Sequence, residues 1–268
     1  MEEHISRKRF LSDAIKYLTG AAASLTGLNL ITRERSFAAT KTAPLPWPYA
    51  QLDPEVTRKL AHDLFYDSGC GYAGFAGILK GLQEKEGEPF TSLPLEMMNY
   101  SGSGIKGWGT VCGALNGASA AISLVTDSKM SGQLINELIR WYTQTLLPSD
   151  TSNQCAEGHG YKVDKNIKAL PRNKSGSPLC HVSITEWCEA SGLSVDSPER
   201  LERCARLSGD VAAQAVKLLN DQAQNKFRAE FVMLPSTTEC LSCHGSQGES
   251  KNVATKQDCL PCHKDHRK

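Results

Sequence analysis

Apolar side chains recur along this chain at three- and four-residue intervals, and no stretch alternates apolar and polar positions long enough to read as a strand. Asp53 and Pro54 make a good helix start, a side-chain oxygen at the cap followed by a pre-set φ. Residues 54–67 then place Val56, Leu60 and Leu64 on one face. Ser68-Gly69-Cys70-Gly71 breaks the pattern, and a second helix is predicted over about 72–85. From Trp108 to Val125 the residues are mostly Gly, Ala and Ser, so a helix there would let another backbone or a cofactor approach closely. Residues 128–146 carry a firmer stripe of Leu134, Ile135, Leu138, Trp141, Tyr142 and Leu146. The span 147–179 is rich in Pro, Ser, Asn and Gly and reads as a loop, functional or loosely ordered at that length. Ser183-Ile184-Thr185-Glu186 fits a capping box, and Ser197-Pro198-Glu199 opens a helix to about residue 225. The expected fold class is mainly α, a helical domain over 53–230 followed by a loop-rich segment over 231–268.

The N-terminus changes the setting. Arg7-Lys8-Arg9 precedes Phe10-Leu11, a mildly apolar stretch runs from Ala21 to Ile31, and Ser36-Phe37-Ala38 offers small residues for a peptidase. Residues 1–38 are therefore expected to be an export signal. Ser6-Arg7-Lys8-Arg9-Phe10-Leu11 resembles a twin-arginine signal, with Lys8 where the second arginine would stand. An amphipathic helix of the mature protein is the competing reading. A Pro-rich linker over 39–52 follows. No apolar stretch reaches the roughly 20 residues of a membrane span, so a soluble periplasmic protein is expected. The net charge of +1 offers no strong field for nucleic acid or an anionic membrane.

Ten cysteines are too many for an ordinary cytosolic enzyme, and their spacing carries the chemistry. Cys240-Leu241-Ser242-Cys243-His244 and Cys259-Leu260-Pro261-Cys262-His263 are both C-x-x-C-H. That pattern attaches c-type haem: two thiols bond the porphyrin edge and the next histidine ligates iron from one face. Paired Cys-x-x-Cys also suits a zinc ribbon. The histidines favour haem, since with 7 His in 268 residues both would follow by chance roughly once in fifteen hundred chains. The tail is polar apart from Leu241, Val253, Ala254 and Leu260, so two apolar rings must pack on the helical body, on each other or on a second subunit. Candidates for the far side of the irons are His181, His62 and His159, with His181 and His62 ranked first. His4 lies in the signal, and His266 is too close to its own motif to reach around. Met97, Met98 and Met233 are alternatives, although methionine usually fills core space.

Cys70 in SGCGYAG, Cys112 in VCGALNGA, and Cys180 and Cys188 in LCHVSITEWC sit on small-residue backbone or near a helix start, a setting suited to an iron–sulfur cluster, to disulfides or to buried structural thiols. In that order they resemble the C…GCAxxG…C…C redox-protein family, with Val111 where the motif has glycine. Together with two C-terminal C-x-x-C-H motifs, the chain from about residue 50 resembles the split-Soret cytochromes c of sulfate-reducing bacteria. The resemblance implies a mainly helical homodimer with two bis-histidine haems per subunit, stacked near the interface, and distal histidines from the partner. It also implies one iron–sulfur cluster held by Cys70, Cys112, Cys180 and Cys188, with Cys204 as substitute, while Cys155 is left as a free or structural thiol. Export by the twin-arginine route fits a protein that folds around its cluster first. The function expected is electron transfer. A small haem reductase with an open iron position and a zinc-ribbon binding module are the alternatives.

Overall fold

A computed structural model describes residues 43–266; the segment expected to be an export signal and the start of the expected linker lie outside the described residues. The protein is mainly helical, as the periodicity predicts, and among the described residues the only β pairing is two isolated antiparallel bridges. No described helix is long and apolar enough to cross a membrane.

Helix α1 (Pro54–Glu86) begins where the sequence places it, with the Asp53 carboxylate accepting from the N–H groups of Glu55 and Val56. Non-helical backbone at Ser68 and Gly69 divides it into two arms, and Gly69 has φ of +80°, a conformation natural to glycine. The arms fold back on each other. A Cβ on Gly77 would stand 2.6 Å from that of Ala61, and one on Gly81 3.0 Å from Leu52. The apolar face of the first arm is carried by Ala61, Leu64 and Phe65; Val56, expected on it, is exposed.

Helix α2 (Gly113–Val125) crosses the second arm with backbone almost touching backbone. A Cβ on Gly117 would lie 2.1 Å from the Gly71 carbonyl oxygen, and one on Gly74 2.5 Å from that of Ala114. The small-residue stretch therefore does what its composition predicts. Helix α3 (Ser128–Gln144) is capped by Asp127 and buries Leu134, Leu138 and Tyr142; Leu146 lies beyond its end and is exposed. Helix α6 (Pro198–Ala223), capped by Ser197, lies along α1 and closes the core with Leu207, Val211, Val216 and Leu219.

The span 147–179 is more ordered than its composition predicts. It contains helix α4 (Asp150–Glu157) and is pinned by side chains of α6. The Asp210 carboxylate, fully buried, accepts from the Ser149 N–H, Ser149 Oγ and Ser152 Oγ, and pairs with Arg58. Arg206 pairs with Glu202 at 2.7 Å and donates to Asn153 Oδ1 and the Lys168 carbonyl. Breaking either pair from one side would leave an uncompensated buried charge, so the pairs fix where the loop sits. Helix α5 (Cys180–Ser191) starts three residues before the expected capping box, and Ser183 lies buried inside it. Residues 43–52 are also bound to the body: the Trp47 N–H donates to the Leu124 carbonyl at 2.8 Å, and its ring meets Phe90 edge-on.

The glycine contact generates a paired prediction. Gly117→Val puts side-chain atoms where the Gly71 carbonyl stands and should cost about 1–3 kcal/mol or more. Gly132→Ala in α3, where a Cβ meets open space, should gain up to about 1 kcal/mol. Urea unfolding of both variants checks the ordering, and equal midpoints would contradict it.

Candidate metal centre

Four thiols from four parts of the chain line one cavity of about 340 Å³: Cys70, Cys112, Cys180 and Cys204. Each is delivered by a feature of the fold just described. The Gly69 turn releases Cys70 at the start of the second arm of α1. Gly113 leaves room beside it, since a Cβ there would stand 2.6 Å from Cys70 Sγ. Cys112 and Cys180 are brought into register by the Val111–Leu179 bridge. There the Cys112 N–H donates to the Pro178 carbonyl at 2.8 Å and the Cys180 N–H to the Thr110 carbonyl at 2.6 Å. Cys204 comes from α6.

Burial first, then Cys112 and Cys204, pushes the Cys70 thiol up to about 12. Burial and the other three cysteines raise Cys180 further. Burial also raises Cys112, opposed by a hydrogen bond with Tyr142. Among the described residues no three His, Cys, Asp or Glu side chains are grouped to hold a single ion. The thiols ring a hollow instead, and sulfur donors around a space suit a multi-atom iron–sulfur group.

Cys188, expected in this set, does not line the cavity. It lies eight residues along α5 from Cys180, about 12 Å at 1.5 Å per residue. Cys204 occupies the fourth place. Cys155 is half-buried beside Gly160, away from the ring. Arg203, Tyr142 and Ser183 also line the cavity, and the sequence reading passed over all three. Arg203 could have been noticed, because it precedes a cysteine on the face of α6 that buries Leu207 and Val211.

The histidines divide clearly. His62 is fully enclosed, stacked on Tyr161 with centroids 3.5 Å apart. Its Nε2 meets Glu202 at 3.1 Å and its Nδ1 meets Asp63 at 3.2 Å, so neither nitrogen is available to a haem iron; the ranking of His62 is corrected. His181 is exposed, with Nδ1 2.9 Å from the Gly109 carbonyl oxygen. That contact selects the tautomer with a free Nε2 lone pair. His159 is exposed too, its Nδ1 2.5 Å from Asp164. Met98 is buried in the core.

The two pentapeptides occupy adjacent turns of the tail. Helix α7 (Pro235–His244) ends on the first, and the N–H groups of Cys262 and His263 both return to the Cys259 carbonyl in the second. Thr237 Oγ1 donates to the Gln257 carbonyl at 3.0 Å and Ser236 Oγ to Asp258 at 3.2 Å, drawing the turns together. Burial and the nearby Cys240 raise the Cys259 thiol above its ordinary value. His244 Nδ1 lies 3.1 Å from Asn252 Oδ1. The tail is held to α3 by Glu137, whose buried carboxylate accepts from the Glu230 and Phe231 N–H groups. Between them lies a second cavity of about 820 Å³ lined by Val111, Ile139, Phe231, Met233, Leu241 and Val253 among others.

A helical body with four thiols around one cavity, joined to a tail of two C-x-x-C-H turns, has the features of a redox-active protein. Residues 76–218, just over half of the chain, match the sequence model described as redox-active protein (C_GCAxxG_C_C), and the chain belongs to that family. It is similar to split-Soret cytochrome c of Desulfovibrio desulfuricans (strain ATCC 27774 / DSM 6949 / MB), 37% identical over 223 residues, 81% of this chain and 77% of the relative. A solved structure described as "A novel iron centre in the split-Soret cytochrome c from Desulfovibrio desulfuricans ATCC 27774" superposes with a TM-score of 0.70 at 34% identity. That match covers 81% of this chain and 90% of the other. The relationship expected from the motifs thus holds over most of the chain.

The choice between Cys204 and Cys188 is open to direct measurement. Cys204→Ser should lower non-haem iron and acid-labile sulfide at least severalfold, while Cys188→Ser should leave both at the wild-type level. The reverse pattern would return Cys188 to the ligand set.

Proposed function

We propose that this chain is a periplasmic dihaem c-type cytochrome that also carries one iron–sulfur cluster and relays electrons between redox partners. The observation that carries the reading is the division of eight cysteines into two kinds of site. Four line one cavity of the body, and four sit as i, i+3 pairs in the tail, each pair followed by a histidine. An i, i+3 pair on one turn presents both thiols to the same edge of a flat ring.

In this reading Cys240, Cys243, Cys259 and Cys262 form the thioethers, and His244 and His263 hold the irons. Bound haem and cluster supply one-electron redox states. The chain's own residues orient and shelter them. Asn252 Oδ1 accepts from the His244 Nδ1–H and so leaves Nε2 as the lone-pair nitrogen, as an outer partner does for a ligating histidine. Leu241, between the thiols of the first pentapeptide, lines the 820 Å³ cavity, so an apolar wall lies next to that attachment site. Cys70, Cys112, Cys180 and Cys204 hold the cluster.

A second copy of the chain completes the haem environment. Val232, Leu234, Val253 and Leu260 of the tail are exposed, leaving apolar surface that a dimer would cover. His181 and His159 have the geometry of distal ligands, each with Nδ1 engaged and Nε2 outward, and on the family resemblance they serve the partner's haems. Export in a folded, cluster-bearing state agrees with the twin-arginine-like signal.

The test is cofactor counting on exported protein. A pyridine haemochrome assay should give two haems per chain, with further iron and sulfide beyond the haem iron. Reduced protein should fail to bind carbon monoxide at native pH, because every axial position is filled. One haem or none, or iron equal to haem, would contradict the reading, and rapid stoichiometric carbon monoxide binding would favour a reductase with an open iron.

A further inference from the structure

We propose that Arg203 is the positioning residue of the four-thiol centre, its guanidinium donating to cluster sulfur and raising the centre's reduction potential. The inference rests on the reading that the ring of cysteines holds an iron–sulfur cluster.

Three arginines of the body are buried: Arg58, Arg203 and Arg206. A buried guanidinium normally has a carboxylate partner. Arg58 has Asp210, and Arg206 has Glu202. Arg203 is paired with no carboxylate among the described residues. Its Nη2 donates to Ser183 Oγ at 2.8 Å, its Nη1 stands 4.0 Å from Cys204 Sγ, and its Nε–H is buried with no partner. Nothing about the rest of the fold uses that donor or balances that charge. The cavity it lines does both once thiolate-held iron and inorganic sulfide fill it, because such a group is anionic and its sulfurs accept hydrogen bonds.

The side chain is also held in place. Ser183 Oγ accepts from the Tyr142 hydroxyl at 2.9 Å as well as from Arg203. Tyr142 and Ser183 both line the same cavity, so the contact that orients the guanidinium is itself anchored in the cavity wall. Burial opposes the charge on Arg203, yet Cys204, Tyr142 and Cys112 together outweigh it. Reduction adds one electron and one negative charge to the centre. A fixed positive charge at contact distance, in a medium less polar than water, favours the reduced form. Hydrogen bonds to the sulfurs act in the same direction.

The test compares Arg203→Met, which removes charge and donors, with Arg203→Lys, which keeps the charge and loses the Nε–H. Cluster potentials are read by redox titration with electron paramagnetic resonance, and the haems serve as an internal reference. In Arg203→Met the reduction equilibrium should fall at least tenfold, 59 mV for a one-electron couple. Arg203→Lys should lie between that variant and wild type, and the haem potentials should not move. A cluster potential unchanged in Arg203→Met overturns the proposal, as does an equal shift at the haems. If Arg203→Met does not assemble a cluster, Arg203→Lys decides on the same criterion. Loss of the cluster from both variants with haems and helicity intact supports positioning, whereas loss of the helical fold from both assigns Arg203 to structure alone and overturns it. Wild-type protein without labile sulfide defeats the cluster reading itself, before any variant is made.

Discussion

The contact on which the site depends is the near-touching of two backbones, the second arm of α1 against α2. It exists because Gly71, Gly74, Gly113 and Gly117 carry no Cβ at the crossing. With ordinary side chains the helices would stand 8–10 Å apart, and Cys70 and Cys112, both beside the crossing, would separate with them. The same residues that weaken helix propensity make the site. A glycine inside a helix costs roughly 1 kcal/mol against alanine; here that cost is offset by burial of Phe75, Ile78, Leu79, Leu115 and Ile122 around the crossing.

A second constraint acts from the other side. The Val111–Leu179 bridge joins the residue before Cys112 to the residue before Cys180, so two of the cavity's thiols are brought together through main-chain hydrogen bonds. That bridge is anchored because the span 147–179 is tied to α6 by Asp210 and Arg206. Cys204 and Arg203 ride on the same helix. The ring of thiols is therefore assembled from elements that are themselves locked together by buried charge, which gives the cavity fixed walls.

Much of this was legible in the residues. The Asp53-Pro54 start, the break at Ser68-Gly69, the close-packing helix after Cys112 and the Ser197 cap all follow local rules that tertiary contacts leave alone. The two C-x-x-C-H turns are legible for the same reason, because their geometry is contained within five residues. What was not legible depends on long-range contacts. Whether Cys188 or Cys204 completes the ring depends on how α5 and α6 are oriented, and no local pattern records that orientation. His62 looked like a candidate iron ligand, yet Glu202, 140 residues away, holds it in the interior. Ser183 looked like a cap, but the bridge at Leu179 starts α5 earlier and leaves the hydroxyl for Tyr142 and Arg203. The loop 147–179 looked loose because its anchors lie on α6.

The fold places four thiols around one cavity of the body and two C-x-x-C-H turns in the tail. Anomalous diffraction at the iron edge from crystals of exported protein tests that arrangement most directly. The account predicts a compact iron peak within reach of Cys70, Cys112, Cys180 and Cys204, and two single-iron peaks beside His244 and His263. A ring without iron, or tail density with a zinc edge shared by both cysteine pairs, would contradict it.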